Sequence, residues 1–215
     1  MDKYEETFQT WNKIASIYQD KFMHLDLYND TYEIFSNLII KGHPRILEIG
    51  CGPGNITKYL LNKRSDFRIT AIDIAPNMIE LAKKNNPTAD FKILDCRAID
   101  QLEIKCDAII AGFCIPYLSR ADCSKLINDS SKLMGDSGVI YLSFVEGNYR
   151  NSNFQSGSSG DRLFFYYHDL SRIKNDLESN DFKMEETISI NYEKPDKSEE
   201  IHTVLIAKKR IQNKV

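Results

Sequence analysis

Short runs of apolar residues alternate along the middle of the chain with segments whose apolar residues recur every three or four positions. The runs predict strands, and the segments between them predict amphipathic helices that begin near Asn55, near Pro76 and at Ser119 or Asp122. Asn55 suits an N-cap, and Pro76 suits a first helical turn. Continuous apolar strands between helices are typical of a parallel sheet covered on both faces. The predicted strands span 45–50, 68–74, 91–95, 108–112 and 139–145.

Both ends of the chain carry further predicted elements. Amphipathic helices precede the first strand, and a helix and two strands follow the fifth. A turn at 195–198 joins the last two strands, so this pair should be antiparallel. The elements are helices over 4–22, 26–40 and 169–180 and strands over about 183–193 and 201–208.

A stretch with almost no apolar content interrupts the pattern after the fifth strand. Residues 147–161 are rich in Asn, Ser and Gly, which predicts a long surface loop that is either disordered or a lid. The chain shows no internal repeat and no compositional boundary, so we predict a single domain over 1–215. Within it, 1–43 form an N-terminal helical cap, 44–210 the core and 147–163 the flexible loop or lid.

Composition narrows the classes of partner. Hydrophobic residues make up 42% and charged residues 27% of the 215 residues, as in ordinary globular proteins. The net charge of −3 disfavours a broad nucleic-acid surface, which needs a basic face. Since no apolar run approaches the roughly 18 residues of a membrane span, no membrane partner is expected.

The cysteines and the polar start of the chain favour the cytoplasm. There are five cysteines, an odd number with no Cys-x-x-Cys pair, which fits reduced thiols better than a disulfide framework. Their spacing gives no metal-ligand pattern, so no metal site is expected. The acidic residues near Met1 do not resemble a secretory signal.

A glycine-rich turn follows the first predicted strand. Gly50, Gly52 and Gly54 stand at every second position between this strand and the next helix, an arrangement that forms nucleotide pockets in doubly wound sheets. Asp73 ends the second strand, 19 residues after Gly54, where a carboxylate can accept hydrogen bonds from both hydroxyls of a ribose. An ordinary tight turn and a helix-capping aspartate are the alternatives. The joint occurrence favours the nucleotide site.

A second acid stands at the end of the third predicted strand. The Asp95 side chain is placed to accept from an amine such as the adenine amino group, and the backbone of Cys96 to meet a ring nitrogen. A plain turn aspartate is the alternative interpretation.

Taken together, these motifs resemble those of class I S-adenosylmethionine-dependent methyltransferases. Glu48-Ile49-Gly50-Cys51-Gly52-Pro53-Gly54-Asn55 is similar to the first motif of the family, an acid followed by alternating glycines. Asp73-Ile74-Ala75-Pro76-Asn77-Met78-Ile79 is similar to the second. Leu94-Asp95-Cys96 and the segment 107–113 stand where the third and fourth occur, and the resemblance covers about 44–208.

The resemblance implies a fold and a cofactor. The fold is α/β, a Rossmann-like doubly wound seven-stranded sheet that is mostly parallel with an antiparallel last strand, here with two N-terminal cap helices. The cofactor is S-adenosyl-L-methionine. The local chemistry supports this cofactor. The acid Glu48 beside the turn would repel a pyrophosphate but would suit a sulfonium and an ammonium group.

By the same resemblance, specific residues would hold the cofactor. Its amino acid part would lie along Gly50, Cys51 and Gly52, with the Gly112 carbonyl near the methionine. Tyr18 stands in an Ala-x-x-Tyr pattern whose tyrosine often folds over the cofactor; an aromatic residue in the helix–core interface is the alternative. The implied cofactor-binding set is Tyr18, Glu48, Gly50, Cys51, Gly52, Gly54, Asp73, Ile74, Met78, Asp95, Cys96 and Gly112.

The acceptor site is less defined. Enzymes that methylate planar nitrogens in bases or glutamine usually carry Asn/Asp-Pro-Pro-Tyr after the fourth strand, and residues 112–115 of this chain depart from that pattern. Tyr117 is a candidate for lining the acceptor pocket. His168 is the candidate general base, which is needed only if the acceptor must lose a proton, and a structural histidine is the alternative.

We therefore expect an enzyme that transfers a methyl group from S-adenosylmethionine to a small-molecule acceptor. A cofactor-binding protein without turnover, serving as a sensor or a subunit of a complex, is one alternative. A protein or RNA methyltransferase is another. The sequence does not indicate the acceptor, the acceptor atom or the oligomeric state.

Overall fold

A computed structural model describes residues 2–156, 160–194 and 197–211. Helices and strands alternate along most of this length, as the apolar pattern predicts. The helices are α1 Lys3–Lys13, α2 Ala15–Phe22, α3 Asn29–Leu38, α4 Asn55–Lys63, α5 Pro76–Asn85, α6 Arg120–Leu133 and α7 Leu170–Ser179. The strands are β1 Arg45–Ile49, β2 Arg68–Asp73, β3 Asp90–Ile93, β4 Cys106–Ala111, β5 Met134–Val145, β6 Asn153–Ser156, β7 Arg162–Phe165, β8 Phe182–Glu193 and β9 Glu199–Lys209.

Seven of the strands form one sheet in the order β3-β2-β1-β4-β5-β9-β8. The first five are parallel to one another, whereas β9 is antiparallel to both β5 and β8. The predicted Rossmann-like sheet with an antiparallel last strand is confirmed. The strand order reverses between β1 and β4, and ligands of doubly wound folds bind beyond the carboxyl ends of the strands at such a point.

The two faces of the sheet bury separate clusters of apolar side chains. Neighbouring residues of a strand point to opposite faces, so Ile46 packs in the cluster that includes α3 and α4, while Leu47 packs in the one that includes α6 and α7. Both side chains are fully buried. Burial on both faces explains why the central strands read as unbroken apolar runs.

Within the described residues, no helix has the length and apolar character needed to cross a membrane.

The N-terminal cap differs from the prediction. The segment 4–22, predicted as one helix, divides into α1 and α2 at Ile14, whose backbone angles are φ −94° and ψ 12°. Contacts with α5 accompany the break: the Asn12 carbonyl accepts a hydrogen bond from Asn77 Nδ2 at 2.8 Å, and Asn12 Oδ1 accepts from the Asn77 amide at 2.9 Å. The cap thus has three helices, not the two predicted.

A hairpin, not a continuous loop, occupies much of the stretch after β5. Strands β6 and β7 pair antiparallel, and α1 holds them: Thr10 Oγ1 donates to the Arg162 carbonyl at 2.6 Å, and the Phe164 amide donates to Thr7 Oγ1 at 3.0 Å. The hairpin depends on these contacts from distant residues, which explains why local composition did not predict it. Residues 157–159 of the predicted loop and 195–196 of the predicted turn lie outside the described part of the chain.

The start of α4 gives the first test. Gly54, not the predicted Asn55, occupies the N-cap, with a φ of +82°. A Cβ there would overlap Asn86 Nδ2 and lie 3.3 Å from Ala82, so Gly54→Ala adds strain and a steric clash. We expect it to lower the free energy of unfolding in urea by about 1–3 kcal/mol. Gly42→Ala, which meets no atom within 4 Å, is the matched control and should have little effect. Equal effects of the two substitutions would contradict this account.

Candidate functional site

A cavity of about 900 Å³, partly open to solvent, lies at the carboxyl ends of the parallel strands. The figure includes space open to solvent, and water-sized molecules have room in about 150 Å³ of it. Helices α1 and α2 cover the cavity from one side, and the glycine turn after β1 forms part of its floor. The lining residues are Tyr4, Thr7, Phe8, Trp11, Tyr18, Gly50, Gly52, Asp73, Ile74, Met78, Leu94, Asp95, Cys96, Arg97, Gly112, Phe113, Cys114, Tyr117 and Leu118.

The glycine turn is fixed by hydrogen bonds to the neighbouring strand. The amides of Gly50 and Cys51 both donate to the Ile72 carbonyl, at 2.8 and 3.0 Å. Gly50 has a φ of +69°, and a Cβ at this position would lie 3.0 Å from the Cβ of Cys114. Only glycine fits this conformation and spacing without strain.

Asp73 links the turn to the end of β2. Its Oδ2 accepts from the Gly52 amide at 2.9 Å, and its Oδ1 accepts from the Ala75 amide at 2.9 Å. Burial raises the pKa of Asp73, although the backbone amides that bond to the carboxylate oppose this effect. Each carboxylate oxygen can accept more than one hydrogen bond, so the group still has capacity for the two hydroxyls of a ribose.

Glu48 lies behind the turn and is fully buried. One of its oxygens accepts from the Thr57 hydroxyl, whereas Oε1 has no hydrogen-bond partner among the described residues. Burial raises the pKa of Glu48 to about 8. A buried carboxyl oxygen without a partner is costly, and a cationic group close to it would compensate that cost.

An ion pair closes the other end of the cavity. Arg97 Nη2 donates to Asp95 Oδ2 at 2.5 Å, and the guanidinium lies 4.0 Å from the ring centre of Tyr4. Burial favours a higher pKa for Asp95, but the hydrogen bonds from Arg97 outweigh it and lower the pKa. The pKa of the Cys96 thiol is raised by its interaction with Cys114 and by burial. Asp95 therefore carries its charge next to a matched cation.

Aromatic rings form the wall opposite the glycine turn. A Cβ placed on Gly52 would lie 3.6 Å from the Tyr18 ring, so this ring covers the turn. Trp11 contacts Tyr18 and Tyr117 edge to face, with ring centres 5.3 Å apart in both pairs. Burial raises the pKa of Tyr18 to about 12 and also raises that of Tyr117, so both phenols are neutral near pH 7.

The structure brings most of the predicted site residues to this one cavity. Glu48, Cys51 and Gly54 lie in or beside the turn but do not line the cavity. Cys51 is buried and burial raises the pKa of its thiol, which disfavours a role as a nucleophile. The predicted residues that line the cavity are Tyr18, Gly50, Gly52, Asp73, Ile74, Met78, Asp95, Cys96, Gly112 and Tyr117.

His168 lies away from the cavity. It is buried, its Nε2 lies 2.8 Å from the Ile115 carbonyl oxygen, and its ring packs against Phe144. Burial lowers its pKa, so the ring is neutral near pH 7. These contacts tie the ring to the fold and do not favour a role as the general base.

Sequence reasoning missed several lining residues. Trp11 was visible only as one apolar position of an amphipathic helix, and Arg97 as a charged residue two positions after Asp95. Phe113 has a φ of +53°, a conformation that the sequence does not indicate, and its amide donates to Ser143 Oγ at 2.9 Å. The spacing of Arg97 after a strand-end acid was the one available signal.

The geometry suits a ligand that combines a ribose with a positive charge. The turn, Asp73 and Asp95 follow consecutive strands as they do in nucleoside sites. The carboxylate of Asp73 disfavours a pyrophosphate and favours a cation, and the buried Glu48, whose pKa is raised to about 8, would ionise more readily with a cation beside it.

Comparisons of sequence agree with this geometry. Residues 46–138 match the family described as "Methyltransferase domain". The putative methyltransferase 235L of Invertebrate iridescent virus 6 is 27% identical over 136 residues, which are 63% of this chain and 49% of that protein. The malonyl-[acyl-carrier protein] O-methyltransferase of Acetivibrio thermocellus is 37% identical over 100 residues, 46% of this chain and 34% of that protein. The chain thus spans half or less of the length of these two relatives.

Solved structures share the fold. An S-adenosylmethionine-dependent methyltransferase from Methanosarcina mazei superposes with a TM-score of 0.70 at 19% identity, covering 83% of this chain and 98% of that one. Magnesium protoporphyrin IX methyltransferase from Synechocystis PCC 6803, with bound S-adenosylhomocysteine, gives 0.71 at 16% identity, covering 97% of this chain and 100% of that one.

The raised pKa of the buried Glu48 predicts how the stability of the fold changes with pH. Its pKa is about 8 in the folded chain and about 4.5 when exposed, so between these values the folded state binds the extra proton and the free energy of unfolding falls as the pH rises. Glu48→Gln removes this titration. We expect the variant to gain at least about 1.4 kcal/mol relative to wild type between pH 5 and pH 8, measured by urea unfolding.

The control for this measurement is Glu80→Gln, which removes a carboxylate from the exposed face of α5. Its pH dependence should match that of the wild type. If Glu48→Gln also follows the wild type across this range, the raised pKa of Glu48 is contradicted.

Proposed function

We propose that this chain, which carries a methyltransferase domain of the class I S-adenosylmethionine-dependent family, is an enzyme that methylates a small-molecule acceptor. One observation carries the proposal: the glycine turn and Asp73, joined by the hydrogen bond from the Gly52 amide, form the floor of a cavity that also reaches Asp95. This arrangement provides a place for each part of the cofactor.

The residues present fit S-adenosylmethionine. Asp73 has acceptor capacity for the ribose hydroxyls, and Asp95 lies where the adenine amino group would bind. Glu48 lies behind the turn with Oε1 unpartnered among the described residues, and an ammonium group placed at the turn would lower its raised pKa and favour the ionised carboxylate. Of the other predicted residues that line the cavity, Ile74, Met78 and Cys96 would contact the adenine, and Gly50, Gly52, Gly112 and Tyr18 the methionine side, while Cys51 and Gly54 belong to the turn itself.

When bound, the cofactor would supply a methyl group on a sulfonium, whose carbon the acceptor would attack in line with the neutral thioether of S-adenosylhomocysteine as the leaving group. The task of the chain is then to align the acceptor and exclude water, which together account for much of the rate of such reactions. Tyr18 and Tyr117 stay protonated and serve as walls. His168 is buried away from the cavity, so the geometry favours acceptors whose nucleophilic atom needs no strong base at the moment of transfer.

The shape of the cap favours a small acceptor. Helices α1 and α2 cover the aromatic side of the cavity, the hairpin β6–β7 packs against α1, and Tyr117 lines the cavity. The net charge of −3 disfavours RNA as the acceptor. The free cysteines fit a cytoplasmic location.

The relative that acts on malonyl-[acyl-carrier protein] and the structural neighbour that acts on magnesium protoporphyrin IX show that related proteins methylate chemically diverse acceptors.

Binding of the cofactor gives the direct test. Calorimetry with S-adenosylmethionine should show one site, and Asp73→Ala should weaken it at least about tenfold, because two charge-assisted hydrogen bonds to the ribose are lost. Asp90→Ala, which removes an exposed acid from β3, should leave the affinity unchanged. Equal affinities of all three proteins would contradict the proposed site.

Turnover separates an enzyme from a binding protein. With a metabolite extract and methyl-labelled cofactor, we expect S-adenosylhomocysteine to form and the label to appear in a product below about 1 kDa, detected by mass spectrometry. Formation only when protein or RNA is added would support a macromolecular acceptor instead. Tight binding with no S-adenosylhomocysteine from any extract would favour a sensor or a subunit without turnover.

A further inference from the structure

The aromatic wall of the cavity has the form of a cation site. Trp11 stands between two other rings: it meets Tyr18 at an interplanar angle of 89° and Tyr117 at 78°, with ring centres 5.3 Å apart in both pairs. The indole thus stands nearly perpendicular to both phenol rings, and the three residues form an aromatic corner of the cavity wall. Such corners bind onium ions, since the electron-rich faces attract a positive centre without forming hydrogen bonds to it.

The charges around this corner also favour a cation. Among the described residues that line the cavity, the charged ones are Asp73, Asp95 and Arg97. Asp95 and Arg97 neutralise each other as an ion pair. Within the described part of the chain, Asp73 accepts only from backbone amides and has no cationic partner, so it leaves a net negative charge in the cavity. An anionic ligand would meet repulsion here, and a cation would be attracted by both the carboxylate and the rings.

The corner is built by residues from separate elements that hold one another in place. Trp11 comes from α1, Tyr18 from α2 and Tyr117 from the 3-10 helix after β4. The bend between α1 and α2 is anchored by the contacts of Asn12 with Asn77 on α5. Phe165 packs edge-on against Tyr117 from the hairpin, with centres 5.9 Å apart. The rings are therefore fixed in place before a ligand arrives, which reduces the entropy cost of binding.

We propose that Trp11, Tyr18 and Tyr117 form an aromatic box that binds an onium cation at the methyl-transfer position. The inference rests on the proposed function, because it takes the cavity to be the cofactor site. Two ligands share the required chemistry: the sulfonium of the cofactor and a substituted ammonium on the acceptor. Both carry a positive centre surrounded by carbon, which suits aromatic faces better than hydrogen-bond acceptors.

The sulfonium arm of the test compares two ligands that differ by the methyl group and the charge. Calorimetry with S-adenosylmethionine and S-adenosylhomocysteine is done on wild type, Trp11→Leu and Trp11→Phe. We expect Trp11→Leu to weaken the binding of S-adenosylmethionine about threefold to tenfold and that of the neutral S-adenosylhomocysteine less than twofold. Trp11→Phe keeps a π face, so it should retain most of the preference for S-adenosylmethionine over S-adenosylhomocysteine. Phe154→Leu, on the hairpin outside the cavity, is the control and should change neither affinity.

The ammonium arm uses the protein saturated with S-adenosylhomocysteine. Trp11 is the one tryptophan of the chain, so its fluorescence reports ligands that reach the box. Choline and its uncharged isostere 3,3-dimethyl-1-butanol are the probes. We expect choline to change the fluorescence at lower concentration than the alcohol, and Tyr117→Leu, which keeps the reporter, to remove this difference while Tyr117→Phe restores it.

The outcomes separate the inference from the function on which it rests. A selective loss in the first arm identifies the sulfonium as the occupant, and a choline preference in the second identifies an ammonium acceptor; either supports the box. Equal weakening of both cofactor forms together with equal responses to choline and the alcohol overturns it, leaving a purely apolar wall. If the wild type binds neither cofactor form, the proposed function itself is overturned.

Discussion

The hydrogen bond from the Gly52 amide to the Asp73 carboxylate, 2.9 Å long, joins the two sequence motifs on which the site depends. It ties the turn after β1 to the end of β2, and the amides of Gly50 and Cys51 reinforce the link by donating to the Ile72 carbonyl. The parallel register of β1 and β2 sets the turn beside the acid. The cavity floor is therefore a direct consequence of strand pairing in the core.

Charge distribution gives this floor its selectivity. In the part of the chain that the structure describes, the buried carboxyl of Glu48 has one oxygen unpartnered, and Asp73 accepts hydrogen bonds only from backbone amides. Arg97, the cation among the described residues that line the cavity, is paired with Asp95 at the other end. A site with this balance suits a ligand that is neutral at its sugar and positive beside it. Dinucleotides do not fit that description, whereas a sulfonium nucleoside does.

The parts of the molecule that local sequence determines were predictable. Apolar runs located the central strands, and the spacing of the glycines from Asp73 located the floor of the cavity. The parts that depend on distant contacts were not. The break at Ile14 accompanies contacts between Asn12 and Asn77, and the hairpin β6–β7 is held by Thr7 and Thr10 of α1. For the same reason the sequence placed Tyr18 near the site but gave no indication that Trp11 stands beside it.

The measurement that tests the central claim most directly is a crystal structure of the chain grown with S-adenosylhomocysteine. We predict electron density in the cavity between the Tyr18 ring and the glycine turn, with both ribose hydroxyls within hydrogen-bonding distance of Asp73 and the adenine beside Asp95. Density for the ligand elsewhere on the protein, or a cavity that stays free of it at saturating concentration, would contradict the account.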